Sequence, residues 1–185
     1  MSLPLSVNDL CARVRAGEEF SYLYFWGHRK PANGRVAASC MSQWYEAPFR
    51  VGTDHYPSAE HYMMAEKARL FGDSATREAI LAAATPNAAK ALGRKVAGFD
   101  EAAWNAQRFE IVVRANVAKF SQNPDMGQFL QTTGNKILVE ASPVDAIWGI
   151  GLTADHKDAH RPDTWRGLNL LGFALVAVRD QLAGR

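Results

Sequence analysis

Glu60 and Lys67 stand seven residues apart in the run Tyr56-Pro-Ser-Ala-Glu-His-Tyr-Met-Met-Ala-Glu-Lys-Ala-Arg-Leu-Phe-Gly72. Wound as a helix at about 100° per residue, that spacing brings the two within about 20° of each other. Met63 and Leu70 flank the pair on one side, Met64 and Phe71 on the other. A carboxylate and an amine therefore occupy the middle of a face that should carry aliphatic side chains into a core. Charges are seldom buried without a partner or a purpose. A buried ion pair or a snorkelling lysine is the plain reading. Against it, a rise of about 1.5 Å per residue sets the two Cα atoms about 10 Å apart, far for a direct pair and suited to flanking a bound molecule.

Other segments carry chemistry of the same kind. In Ser142-Pro-Val-Asp-Ala-Ile-Trp-Gly-Ile-Gly151, Asp145 can accept hydrogen bonds from a sugar or orient a base, and Trp148 can stack on a ring. Gly149 and Gly151 would admit a ligand close to the backbone. The alternative is an aromatic-anchored turn with Asp145 as its cap. Gly167 and Asn169 precede an apolar helix whose free N–H groups suit an anion, although Asn169 is equally an ordinary N-cap. In Ser39-Cys-Met-Ser-Gln-Trp-Tyr45, Gln43 can read a base edge and Trp44 can stack, or the aromatics are core and the polar residues cap a turn. Arg94 and Lys95 close a helix, either as solvated dipole complements or as phosphate partners. His156 and His160 lie four apart without the glutamate of an HExxH motif, so no metal site is read there. Cys40 has no identifiable base and is not promoted to a nucleophile.

The elements that must position these residues follow from local signals. Tyr22–Trp26 is a β-prone strand, and Pro31, Asn33 and Gly34 mark a loop. Phe49–Val51 and Asp54–Tyr56 form a short hairpin about Gly52-Thr53. Ser58 offers an N-cap and Gly72 a stop for the helix bearing Glu60 and Lys67. Asp73 caps a second helix to about Ala84, and Thr85-Pro86 opens a third toward Lys95. Asp100 caps the longest, Glu101–Gln122. Asn123-Pro124 opens another that ends near Gly134. Ile137–Glu140 is a strand, and Asn169–Leu182 is an apolar terminal helix. The sum is an α+β fold, a mostly helical single domain with a few short strands.

The 185 residues suffice for one such domain, with 48% hydrophobic and 22% charged residues. A net charge of +2 without a long basic run does not indicate bulk capture of nucleic acid. Cys11 and Cys40 lack CxxC spacing, which argues against a zinc site or disulfide scaffold and fits a reduced, cytoplasmic compartment. The first twenty residues have no signal-peptide apolar region, and no apolar run is long enough to span a membrane.

Taken jointly, several segments resemble the NADAR superfamily, also called YbiA-like: Ala38-Ser-Cys-Met-Ser-Gln-Trp44, Tyr56-Pro-Ser-Ala-Glu-His61 with Glu66-Lys-Ala68, Ala91-Leu-Gly-Arg-Lys-Val96, Lys119-Phe-Ser-Gln-Asn-Pro124, Leu138-Val-Glu-Ala-Ser-Pro143 with Asp145 and Trp148-Gly-Ile-Gly151, and Gly167-Leu-Asn-Leu-Leu-Gly172. The resemblance runs from about Tyr22 to the end. Residues 1–20 read as an N-terminal extension and 21–185 as the domain. Two departures are mild: Phe25-Trp26-Gly27 where the family often has Phe-Tyr-Gly, and Tyr45 where it often has a second tryptophan.

The resemblance implies hydrolysis of an N-glycosidic bond between a ribosyl carbon and nitrogen. Two substrate classes follow: ribosylamine phosphates of early riboflavin synthesis, and ADP-ribose on guanine, in nucleotides or nucleic acid. Glu60 would stabilise oxocarbenium charge or manage protons. Lys67 would hold a phosphate or hydroxyl, or form a Schiff base with the opened sugar, the role the resemblance favours. Asp145, the third catalytic candidate, would orient ribose hydroxyls or share in proton transfer. Gly27, Ser42, Gln43, Trp44, Trp104, Trp148 and Gly149 would line the substrate, with Arg94 and Asn169 at its phosphate. No metal or organic cofactor is required. The competing class is a non-catalytic module that binds ADP-ribose or a related nucleotide.

Overall fold

A computed structural model describes residues 2–184. Among the described residues there are seven helices and two small two-stranded sheets. In chain order they are α1 (Val7–Arg15), β1 (Tyr22–Phe25), β2 (Phe49–Val51), β3 (Asp54–Tyr56), α2 (Ala59–Leu70), α3 (Ser74–Leu81), α4 (Pro86–Gly93), α5 (Glu101–Gln122), α6 (Pro124–Thr132), β4 (Ile137–Glu140) and α7 (Leu170–Leu182), with short 3-10 turns at Ala38–Met41 and Pro162–Thr164. This is the α+β architecture expected. Among the described residues no helix is long and apolar enough to cross a membrane.

β1 and β4 pair in parallel, Tyr22 against Ile137 through Phe25 against Glu140. A parallel pair needs a crossover connection, and here it is long enough to contain α2 through α6. Ile137, Leu138 and Val139 are all buried because both faces of β4 are covered. Leu138 faces the main core with Phe25, Tyr62, Val112 and Leu175. Ile137 and Val139 face a second core with Leu10, Ile150, Leu152 and Phe173. β2 and β3 form the expected hairpin, turned at Gly52, whose φ of 59° suits glycine.

The caps act where their chemistry predicts. Asp73, Thr85 and Asp100 accept from the N–H groups of Thr76, Ala88 and Ala103. Ser58 differs. It sits at the N-cap of α2, but its hydroxyl bonds His61 Nδ1 at 2.8 Å instead of a backbone N–H. Several boundaries shift inward. β1 stops at Phe25 and leaves Trp26 exposed, α3 ends at Leu81, and α4 ends at Gly93.

Two larger differences bear on the site. α1 carries no expectation from its sequence, yet it shares the second core through Leu10. α2 is not a helix with one inward face. Ala59 through Glu66 are all buried, since α3, α4 and α5 enclose it. Its charges are therefore not stray members of an apolar stripe. They belong to a helix that runs through the middle of the molecule.

Candidate active site

A pocket of about 170 Å³ opens where α2, α4 and the start of α5 meet the two loops that follow the first 3-10 turn and β4. Ser42, Gln43, Trp44, Glu60, Lys67, Arg94, Trp104, Asp145 and Trp148 all line it. Met63, Met64, Lys90, Gly93 and Glu140 complete the wall.

Each wall has a local cause. The segment bearing Ser42, Gln43 and Trp44 is fastened from below by Lys119, whose buried ammonium donates to the carbonyls of Cys40 (2.6 Å) and Ser42 (2.9 Å). Asn116 donates to Gln43 Oε1 at 2.8 Å. The Gln43 carbonyl then accepts from Glu60 N at 3.0 Å, satisfying a free amide at the start of α2. Thr85 and Pro86 set the direction of α4, so Lys90 and Arg94, one turn apart, point to the same side. After β4, Asp145 Oδ1 accepts from the N–H groups of Ile147 and Trp148. That local turn presents Trp148 to the pocket.

The electrostatics are those of a largely buried, mixed-charge site. Glu60 is 3% exposed and its Oε1 has no hydrogen-bond partner. Burial pushes its carboxyl up to about 7 against the opposing pull of Lys90 and a hydrogen bond from Trp44; Asp145 adds to the rise and Arg94 opposes it. Lys67 donates to the Gly93 carbonyl at 2.8 Å. Its ammonium lies 4.2 Å from the Phe99 ring centroid and 5.7 Å from that of Trp104. Desolvation lowers its affinity for the proton. Of the four apolar neighbours expected, Met63 and Met64 line the pocket with Lys67, whereas Leu70 is exposed and Phe71 acts at one remove, edge-on against Phe99. Lys90 lies over Trp44 at 5.6 Å. The Gln43 Nε2 donor is buried without a partner. The arrangement offers carboxyls able to hold or release protons near neutrality, an amine with a weakened hold on its proton, two cations for an anionic group, and indole surfaces for stacking.

Three expected residues lie elsewhere. Gly27 sits in the exposed loop beyond β1. Gly149 faces protein: a Cβ there would meet the carbonyl oxygens of Glu140 at 2.8 Å and Asp145 at 3.0 Å, so its role is loop packing. Asn169, fully buried and left-handed at φ 50°, accepts from Glu140 N and donates to the Leu138 carbonyl. The next two amides, Leu170 and Leu171, bond to the carbonyls of Ile147 and Trp148. The first two amides of this helix are thus taken up by the preceding loop and are not offered to phosphate. Lys90 and Glu140 were missed. A signal existed for Lys90, four residues before Arg94 on one helix face. For Glu140 it was weaker, a carboxylate at a strand end.

Comparisons with known proteins show what the chain as a whole is similar to. The NADAR domain model matches residues 24–183. The chain is 41% identical over 169 residues to "N-glycosidase R617" of Acanthamoeba polyphaga mimivirus, covering 89% of this chain and 98% of that protein. It is 32% identical over 143 residues to "N-glycosidase Npun_R5314" of Nostoc punctiforme, covering 77% and 85%. It is 32% identical over 136 residues to "Riboflavin biosynthesis protein PYRR, chloroplastic" of Zea mays, covering 70% of this chain and 20% of that protein. The NMR structure of the E. coli protein YbiA superposes with a TM-score of 0.67 at 25% identity, covering 98% of this chain and 94% of that one.

Proposed function

The chain belongs to the NADAR family, and on that premise we propose that it is an N-glycosidase that hydrolyses a ribosyl C–N bond in this pocket. The observation that carries the reading is a desolvated amine and a desolvated carboxyl, Lys67 and Glu60, in one pocket with Lys90 and Arg94. A module that merely bound nucleotide has no use for a buried carboxyl and an amine whose hold on its proton is weakened by burial.

The chemistry follows from the groups. When the ribosyl ring opens, C1 becomes an iminium carbon. The neutral amine of Lys67 adds to it; the lysine nitrogen of the adduct then sheds a proton, and its electron pair forms a new double bond to C1 as the bond from C1 to the departing nitrogen breaks. That nitrogen leaves with the electron pair and one proton. Water then adds to the lysine-linked iminium, Glu60 taking a proton from it. Collapse restores the Lys67 amine and releases the sugar as its aldehyde. Asp145, Gln43 and Ser42 hold hydroxyls, Trp44 and Trp148 stack on the base, and Lys90 with Arg94 neutralises phosphate.

The favoured substrate is a ribosylamine phosphate of the type formed early in flavin synthesis, in keeping with the maize relative's name. ADP-ribose on guanine is the second reading. The observation favouring it is that Trp44 also walls a neighbouring recess lined by His28, Lys30, Glu46, Thr85, Pro86 and Asn87, room for the rest of a larger substrate.

A side-by-side assay on both substrate classes, with the released base identified, tests the function. Borohydride added during turnover should trap a covalent sugar adduct on the wild type and none on Lys67→Ala. No adduct, together with full activity of Lys67→Ala, would sink the Schiff-base step. Glu60→Gln should retain the fold and lose most turnover.

A further inference from the structure

Glu140 is a second buried carboxyl in the same pocket. It ends β4, at the carboxyl end of the parallel pair, where its backbone N–H is fixed by Asn169 Oδ1 at 3.0 Å. Its side chain lines the pocket, and Oε2 is buried without any hydrogen-bond partner. A carboxylate oxygen left bare in that way is costly, whereas a protonated carboxyl has a donor to offer. Nothing in the steps assigned to Glu60 and Lys67 uses it. Those steps do leave one requirement open, a proton for the departing nitrogen.

We propose that Glu140 is a further catalytic residue, the acid that protonates the leaving nitrogen as its bond to C1 breaks. The inference rests on the N-glycosidase reading. In the step, the C1–N electron pair goes to the departing nitrogen, the Glu140 proton goes to the same nitrogen, and the carboxylate left behind takes up the proton that the Lys67 nitrogen sheds as its own double bond to C1 forms.

The surroundings separate the two glutamates. The charged groups acting on Glu140 are Asp145 on the following loop, Glu60 on α2 and Lys90 on α4; burial and the two carboxyls push it up to about 8, and Lys90 alone opposes them. Glu60 has more help toward ionisation, from Lys90, Trp44 and Arg94. With two cations and an indole donor favouring the ionised form of Glu60 and one cation favouring that of Glu140, Glu140 suits the acid and Glu60 the base for water. Two carboxyls whose environments push them apart are the usual sign of divided acid and base roles.

The test uses Glu140→Gln and a series of 5-phosphoribosyl arylamines, from aniline to 4-nitroaniline. An acid at the leaving nitrogen predicts a loss of at least about 100-fold in kcat on the poorest leaving group, falling toward wild type on the best, with KM changed less than about threefold. The wild-type kcat should fall on the alkaline side, and the variant should lose that limb. Glu140→Asp keeps a proton donor and should restore part of the rate on aniline, a rescue that a packing role would not produce. If Glu140→Gln does not fold, the leaving-group dependence of Glu140→Asp decides: a steeper slope than wild type supports the role, and an unchanged slope overturns it. A variant within about threefold of wild type, or one losing equally on every leaving group, overturns the proposal. An inactive wild type on every member of the series and on both natural substrate classes would sink the N-glycosidase reading itself, a distinguishable result.

Discussion

Lys67 owes its state to its immediate neighbours. The Gly93 carbonyl and the faces of Phe99 and Trp104 hold the ammonium, while desolvation makes the neutral amine easier to reach. Gly93 matters for a second reason. A Cβ there would stand 2.1 Å from Met64 Sδ and 2.9 Å from its Cγ. Gly93→Ala should therefore cost roughly 1–3 kcal/mol, as overpacking does, and should lower the yield of borohydride-trapped adduct by shifting the carbonyl that holds Lys67. Thermal melts and adduct mass spectrometry check the two effects. The chemical types at this scale were legible beforehand, because a carboxyl and an amine on a core helix require an explanation. Their neighbours were not. Phe99 is far along the chain from Lys67, and only folding brings it there.

The element scale explains why the pocket holds its form. β4 delivers Glu140, and Asn169 at the head of α7 clamps both Glu140 N and the Leu138 carbonyl. Gly172 admits the closeness: a Cβ there would meet the Leu138 carbonyl at 2.0 Å. Asn169→Ala should remove two buried hydrogen bonds and leave a non-glycine residue in a left-handed backbone, at a cost of about 2–4 kcal/mol. Asn169→Gly should recover the part due to the backbone. Denaturant titrations of the two variants compare them. Caps, prolines and glycines fixed most boundaries from the sequence, since their chemistry is local. The role of Asn169 was misread for the same reason. An asparagine before a helix looks like a cap, and its real partners lie on a strand about thirty residues earlier in the chain. α1 went unread because its burial depends on β4 and the loop that follows it.

Across the whole molecule, buried ionisable groups set the dependence of stability on pH. The folded state raises Glu60 from 4.5 to about 7 and Glu140 from 4.5 to about 8. Folded chains then hold more protons than unfolded ones over that interval, so stability falls as pH rises through it. His61, lowered by burial, acts the other way below its ordinary 6.5. Lys119 drops from 10.5 to about 8 through burial. Between about 8 and 10.5 the unfolded chain holds the extra proton, and stability rises with pH there. The melting temperature should therefore decline from about pH 6.5 to 8 and recover between about 8 and 9, above which Cys40, raised by burial from 9.0 to about 11, opposes the recovery. Glu60→Gln with Glu140→Gln should flatten the decline. Lys119→Met should remove most of the recovery, with a loss of about 1–3 kcal/mol for each buried carbonyl left bare. Melts across pH 5–10 (about one unit apart) measure both.

Periodicity, capping residues and spacing determined the α+β class, most of the element boundaries and the presence of a carboxyl and an amine on one helix, because these depend on residues within a few positions of each other. Family membership was legible for a related reason, as a set of short segments in a fixed order. Only the tertiary structure decided that α2 is enclosed on nearly all sides and that Lys90 and Glu140 complete the pocket. It alone put Asn169 to work on the strand that carries Glu140. Burial and proton affinity are properties of what packs around a group, and that packing comes from parts of the chain distant in sequence.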